Sequence, residues 1–118
     1  MVSDEWKKKR DNLLRYRKTI EFISWLESKK EKQSDKDRIQ EIDCRIDNKK
    51  RSAKFLQSEL LDQLESLNNI VQVEIMELHF IEGFTISEIA ERLKYSERHV
   101  ARLYSNAIKE LIKRDTED

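Results

Sequence analysis

The chain has 118 residues, 41% of them charged, and its mean hydropathy of −0.85 is close to that of disordered proteins. Hydrophobic residues still make up 37% and recur at helical spacing, which favours a folded chain. There is no proline and only one glycine, Gly83, so the turn residues that sheets and irregular loops need are missing. The composition therefore predicts an all-α protein and excludes β-rich folds.

Several classes of function are disfavoured by what the sequence lacks. A single cysteine, Cys44, excludes an internal disulfide, and His79 and His99 have no partners at metal-ligand spacing. There is no glycine-rich phosphate loop and no nucleophile motif. No apolar run is long enough to cross a membrane, and the first residues lack the apolar core of a signal peptide. We therefore expect a soluble, cytoplasmic protein that is not an enzyme and that needs no metal or cofactor.

The net charge of zero conceals three segments of different character. Residues 1–54 carry 17 basic and 11 acidic side chains, residues 55–91 carry 8 acidic and no basic ones, and residues 92–118 carry 7 basic and 5 acidic ones. Solvated helix faces explain such runs in the N-terminal half as well as a binding surface does. A neutral total argues against avid non-specific DNA binding by the whole protein, but it leaves room for a local basic surface.

Two long amphipathic helices are predicted in residues 1–67, from Asp4 to about Lys32 and from about Lys36 to Leu67. Ser34 or Asp35 can cap the second helix. The first stripe consists of Trp6, Leu13, Tyr16, Ile20 and Ile23, with Leu26 beside it, and the second of Ile39, Ile42, Ile46, Ala53, Leu56, Leu60 and Leu67. Stripes this narrow must be covered by another helix. We therefore predict a long helical hairpin or a coiled coil that associates into a homodimer or higher homo-oligomer. The alternative is packing on the C-terminal part of the same chain.

Residues 68–118 are predicted to form a module of three helices, at 70–80, 86–93 and 97–114. Asn68-Asn69 interrupts the preceding pattern, and Gly83 stands where a left-handed helix end would need it. Thr85 and Glu88 form a capping box at the start of the middle helix, and Ser96 is a good cap for the last one.

The last two helices have the spacing of a helix-turn-helix. They are joined by only three residues, and the small side chain of Ala90 allows their backbones to approach where they cross. Val100 and Leu103 are expected to fill the angle from the second helix, while Leu93 and Tyr95 close the far side.

These residues carry a family resemblance. From Phe80 to Leu93 the chain reads FIEGFTISEIAERL, and this is followed by Ser96, Val100, Ala107 and Leu111. The pattern resembles region 4 of the sigma-70 factors, and small phage transcription regulators of the ArpU and RinA type are similar. The resemblance covers residues 70–113. Lys94 stands where the family commonly has glycine, so we expect a strained turn at a cost of about 1 kcal/mol.

The resemblance implies that the last helix enters the major groove of double-stranded DNA by its N-terminal end. Arg98 and Arg102 can each pair with a guanine through two hydrogen bonds. Glu97 accepts from a cytosine amino group or stabilises the helix N-terminus, and His99 contacts a base or a phosphate. The expected DNA-binding residues of this helix and its cap are Ser96, Glu97, Arg98, His99, Ala101, Arg102, Ser105 and Lys109. Ser87, Arg92 and Lys94 are expected to contact phosphates, together with Lys109 and Lys113.

The implied function is sequence-specific binding of double-stranded DNA that regulates transcription, in the late operon of a phage or prophage. Two alternatives stay open. One is a sigma-like adaptor that contacts RNA polymerase, for which the acidic segment 55–91 offers a protein-binding face. The other is a small DNA-packaging subunit of the terminase type, which is disfavoured because such proteins usually have the helix-turn-helix and the oligomerising helices in the opposite order.

Overall fold

Six helices make up the fold in the computed structural model, which describes residues 3–116. They are α1 (Asp4–Leu13), α2 (Arg15–Glu31), α3 (Lys36–Glu65), α4 (Ile70–Phe80), α5 (Ile86–Leu93) and α6 (Glu97–Asp115). No strand occurs between residues 3 and 116, and the predicted all-α class is confirmed. None of the described helices has the length and the apolar character needed to cross a membrane.

Helices α2 and α3 form the predicted hairpin. Their buried side chains make a cluster of their own, which consists of Ile23, Leu26, Ile42, Ile46 and Ala53. Asp35 caps α3, since its carboxylate accepts hydrogen bonds from the backbone N–H groups of Asp37 and Arg38 at 2.9 and 3.4 Å. The two narrow stripes thus cover each other within one chain. Homo-oligomerisation stays a prediction, and these stripes are no longer free to provide it.

The single helix expected from Asp4 to Lys32 is wrong at Leu14, where α1 ends and α2 begins. Neither proline nor glycine is present to break the chain there. The cause is tertiary, because the two parts of the stripe are buried in different places. Trp6 and Leu13 of α1 lie in the C-terminal core, whereas Ile23 and Leu26 of α2 lie in the hairpin. A sequence pattern that continues through both parts cannot reveal that they face different partners.

The larger core joins both ends of the chain. It contains Trp6 and Leu13 of α1, Leu60 and Leu64 of α3, Leu67, and the inner side chains of α4, α5 and α6. The predicted division of the chain at residue 67 stays a prediction. The structure adds that five buried residues from before position 68 pack on the helices that follow it.

Helix α1 docks directly on α6. The Trp6 ring meets the Tyr104 ring edge-on with centroids 6.0 Å apart, and its indole N–H donates to the carbonyl oxygen of Ser105 at 3.3 Å. The Lys9 ammonium donates to Gln63 Oε1 at 2.7 Å and to the Asp115 carboxylate at 2.8 Å, which ties α1 to both α3 and α6. Burial of Tyr104 in this contact raises the pKa of its phenol to about 12.

Helix α4 begins and ends as the sequence predicted. The Asn69 side chain caps it, and Gly83 adopts a φ of 83°, which is in the left-handed region that favours glycine. The Phe84 N–H donates a hydrogen bond to the Leu78 carbonyl at 3.0 Å, which ends the helix. Arg17 of α2 donates to the Ile81 carbonyl at 3.2 Å, so this corner also anchors the hairpin to the C-terminal helices.

Candidate nucleic-acid interface

The predicted capping box fixes the start of α5. The Thr85 hydroxyl accepts from the Glu88 N–H at 3.1 Å, and Glu88 Oε1 accepts from the Thr85 N–H at 3.0 Å. The hydrogen bond from the Thr85 N–H holds the pKa of the Glu88 carboxyl below its ordinary value. Two backbone N–H groups at this helix end therefore have partners, and the start of α5 is set locally.

The turn between α5 and α6 contains the expected strained residue. Lys94 has a φ of 61° and a ψ of 40°, a left-handed conformation that costs a non-glycine residue about 1 kcal/mol. The Tyr95 N–H bonds to the Ala90 carbonyl at 3.0 Å, which is the closing hydrogen bond of a left-handed helix end. Ser96 then caps α6 by accepting from the His99 N–H at 3.1 Å.

The crossing of α5 and α6 is built as the sequence indicated. Ala90 is buried at 3% exposure, and Ile89 and Val100 are fully buried beside it. The expectation for Tyr95 is wrong, since 42% of this residue is exposed. The left-handed turn directs it outward, where its ring packs edge-on against His99 with centroids 5.1 Å apart.

Most of the residues predicted to bind DNA are exposed on α5, on the turn after it and on α6. Those predicted to bind DNA that are exposed are Ser87, Arg92, Lys94, Ser96, Glu97, Arg98, Ala101, Arg102 and Lys109. Two are partly buried, His99 and Ser105. Arg92 additionally lies over the Phe84 ring, with the guanidinium carbon 5.1 Å from the centroid.

Arg102 is held by its neighbour one turn earlier. Its Nη2 lies 2.9 Å from His99 Nδ1, and because a guanidinium can only donate, the imidazole nitrogen accepts. Since Tyr95 supports His99 in turn, the three side chains form a row from the turn to the exposed face. The contact with His99 directs the Arg102 side chain toward the N-terminal end of α6.

Ser105 and Asn106 lie in the middle of α6. Ser105 is partly buried, and its backbone carbonyl accepts from the Trp6 indole N–H, so α1 lies beside this part of α6. Asn106 is exposed and was not among the predicted residues. The sequence did indicate this position, because Asn106 follows Arg98 and Arg102 at a spacing of four. It therefore lies on the same side of the helix.

The comparison with known families agrees with this geometry. Residues 26–117 match the family model described as ECF sigma factor. The chain belongs to the ECF sigma factor family. No curated protein and no solved structure matches it significantly. At family level it is a sigma-like DNA-binding regulator, and the resemblance to sigma-70 region 4 is thereby confirmed.

The match to the sigma factor family covers more of the chain than residues 70–113, where the sequence motif showed the resemblance. It begins at Leu26, near the end of α2, and includes the whole of α3. Helix α1 lies outside it, although α1 packs on α6. The finer resemblance to regulators of the ArpU and RinA type stays a prediction.

His79 lies at the edge of the core beneath this interface. Its Nδ1 is 2.8 Å from the Phe84 carbonyl and donates to it, and its ring meets the rings of Phe80 and Tyr104 edge-on. Burial lowers the pKa of the imidazole, while the Phe84 carbonyl acts in the opposite direction. Within residues 3–116 no group of three or more histidine, cysteine or carboxylate side chains is placed to hold a metal ion.

This arrangement predicts a pH-dependent stability. The folded chain takes up a proton at His79 less readily than the unfolded chain, whose imidazole has a pKa near 6.5. The stability that neutral His79 contributes to the folded chain is therefore fully present above that value. It is lost as the pH falls toward the lower pKa of the folded state. His79→Gln, whose amide can still donate to Phe84, should lose less free energy of unfolding than the wild type between about pH 8 and about pH 5.5.

Urea unfolding of both proteins at the two pH values measures this difference. Burial raises the pKa of the Glu77 carboxyl and gives a trend of opposite sign, but Glu77 is present in both proteins and its effect cancels. Equal losses in the two proteins would contradict the role assigned to His79.

Proposed function

We propose that the chain is a sequence-specific double-stranded DNA-binding transcription regulator whose α6 reads the major groove. The observation that carries this proposal is the exposed face of α6, where Arg98 and Arg102 project one turn apart from the capped N-terminal half of the helix. Arginines at this spacing can each form two hydrogen bonds with a guanine edge. Arg92, Lys94 and Lys109 flank them as phosphate contacts, which give affinity without reading sequence.

Helix α1 limits how α6 can be used. Because Trp6 contacts the Ser105 carbonyl, one side of α6 is covered from the middle of the helix onward. We therefore assign the base contacts to residues before Ser105. Lys109 is assigned a contact with the DNA phosphate backbone. The proposed reading set is Arg98 and Arg102, with Ala101 between them able to contact a thymine methyl group.

The biological setting that we propose is control of a phage or prophage late operon, on the basis of the similarity to regulators of the ArpU and RinA type. RNA polymerase is a second candidate partner, and the acidic surface of residues 55–91 favours it. A gel shift on fragments of the source genome, combined with a polymerase pull-down, separates a regulator that binds DNA by itself from an adaptor that needs polymerase. A small DNA-packaging subunit would instead bind packaging-site fragments.

Arg102→Ala tests the orientation of α6. We expect it to lower affinity for the best-bound duplex by about 1–3 kcal/mol and to relax the preference at one base pair, because a bidentate contact is lost. Fluorescence anisotropy on that duplex and on its single-base variants gives both numbers. Arg38→Ala, at the start of α3, is the matched control and should leave binding unchanged. If Arg102→Ala binds like the control, α6 does not face DNA as proposed.

A further inference from the structure

The hairpin exposes aromatic rings surrounded by cations. The Phe22 and Trp25 rings of α2 lie 5.3 Å apart, and Trp25 is 48% exposed. The Lys29 ammonium is 4.7 Å from the Trp25 centroid, and the Lys49 ammonium is 5.1 Å from that of Phe22. With Arg45, whose guanidinium carbon is 5.8 Å from the Phe22 centroid, these residues form what we call the basic aromatic patch. Within residues 3–116 none of its three cations is paired with a carboxylate.

A surface of opposite character lies further along α3. Phe55 is 65% exposed, and Glu59 and Asp62 follow it at spacings of four and three, so all three project from one side of the helix. That side is turned away from the core, which receives Ala53 and Leu60. No basic residue occurs from Phe55 to Glu91. We call Phe55, Glu59 and Asp62 the acidic stripe.

The two surfaces complement each other in charge and in apolar content. The patch presents two neighbouring aromatic rings with cations beside them, and the stripe presents one exposed ring with two carboxylates beside it. A partner for the patch must offer apolar surface to the rings and carboxylates to the cations, and the stripe offers both. The two cannot meet within one chain, because Lys49 and Phe55 are six residues apart on the same continuous helix, a rise of about 9 Å.

We propose that two copies of the chain form an antiparallel dimer in which the basic aromatic patch of each copy contacts the acidic stripe of the other. A two-fold axis that crosses α3 between Lys49 and Phe55 brings both pairs of surfaces together at once. The contact is then closed, since each copy uses the same two surfaces. The interface differs from the heptad stripes of the hairpin, which are buried within each chain.

Charge reversal tests this dimer on the full chain. One variant combines Lys29→Glu with Lys49→Glu, and the other combines Glu59→Lys with Asp62→Lys. Each alone places like charges opposite each other in both contacts, so we expect its dimer dissociation constant to rise about a hundredfold or more. In an equal mixture every contact has opposite charges again, and the dimer should return as a heterodimer. Circular dichroism confirms that each variant is folded.

Sedimentation equilibrium gives the outcome directly. The wild type should have twice the 14.3 kDa chain mass, each variant alone the single mass, and the mixture twice that mass again. Added salt should weaken the wild-type dimer, since the charges lie at the protein surface. A monomeric wild type would overturn the proposal and assign the patch to a different partner. Variants that stay dimeric alone, or a mixture that stays monomeric, would overturn it as well.

Discussion

A fragment that begins at Asn68 is expected to be mostly unfolded at 25 °C, although it contains the whole helix-turn-helix. It lacks Trp6, Leu13, Leu60, Leu64 and Leu67, which are all buried against α4, α5 and α6 in the full chain. Loss of one large buried side chain costs about 2–5 kcal/mol, whereas a whole domain is stable by only about 5–15 kcal/mol. Circular dichroism with a urea titration measures the remaining helix and its stability.

A longer fragment that begins at Lys54 is the control for this experiment. It restores Leu60 and Leu64 of α3 and the following Leu67, but not the two residues of α1. Its stability should lie between that of the short fragment and that of the full chain. A short fragment as stable as the full chain would show that the C-terminal helices form an independent domain and that the N-terminal contacts contribute little.

Trp6→Ala is expected to have the largest effect of any single substitution discussed. Trp6 is only 8% exposed and packs on Tyr104. Its indole N–H also donates a hydrogen bond to the Ser105 carbonyl of α6. Truncation of a buried tryptophan costs about 3–5 kcal/mol, and it also leaves the Ser105 carbonyl without this donor. Urea denaturation monitored by circular dichroism gives the free energy of unfolding.

The second tryptophan provides a matched control. Trp25 is 48% exposed and lies on the hairpin, so Trp25→Ala should change the free energy of unfolding by about 0.5 kcal/mol or less. The protein must be dilute enough to be monomeric, because Trp25 belongs to the proposed dimer contact. Similar losses in the two variants would contradict the docking of α1 on α6.

The parts of the fold that depend on local signals could be predicted from the sequence. Thr85 and Ser96 cap the helices that they were expected to cap, and Gly83 and Lys94 take the left-handed conformation. Each of these features is decided by a few neighbouring residues, because a cap or a helix end is satisfied within one turn.

The features that depend on distant contacts could not be predicted in the same way. The break at Leu14 exists because Trp6 finds its partners about 100 residues later, in α6. For the same reason the sequence could not show that Ser105 lies beside α1. Asn106 is a different case, since its spacing from Arg102 already placed it on the exposed face. It was overlooked because its side chain carries no charge. The proposed orientation of α6 toward DNA depends on which face of the helix these contacts leave exposed.

The most direct test of the central claim is selection of duplexes from a random-sequence DNA library by the full chain. If α6 reads the major groove, the bound pool should converge on a motif that contains guanines. The same selection with Arg102→Ala should lose the preference at one position while the rest of the motif remains. A wild-type pool that stays random would contradict sequence-specific binding by this chain.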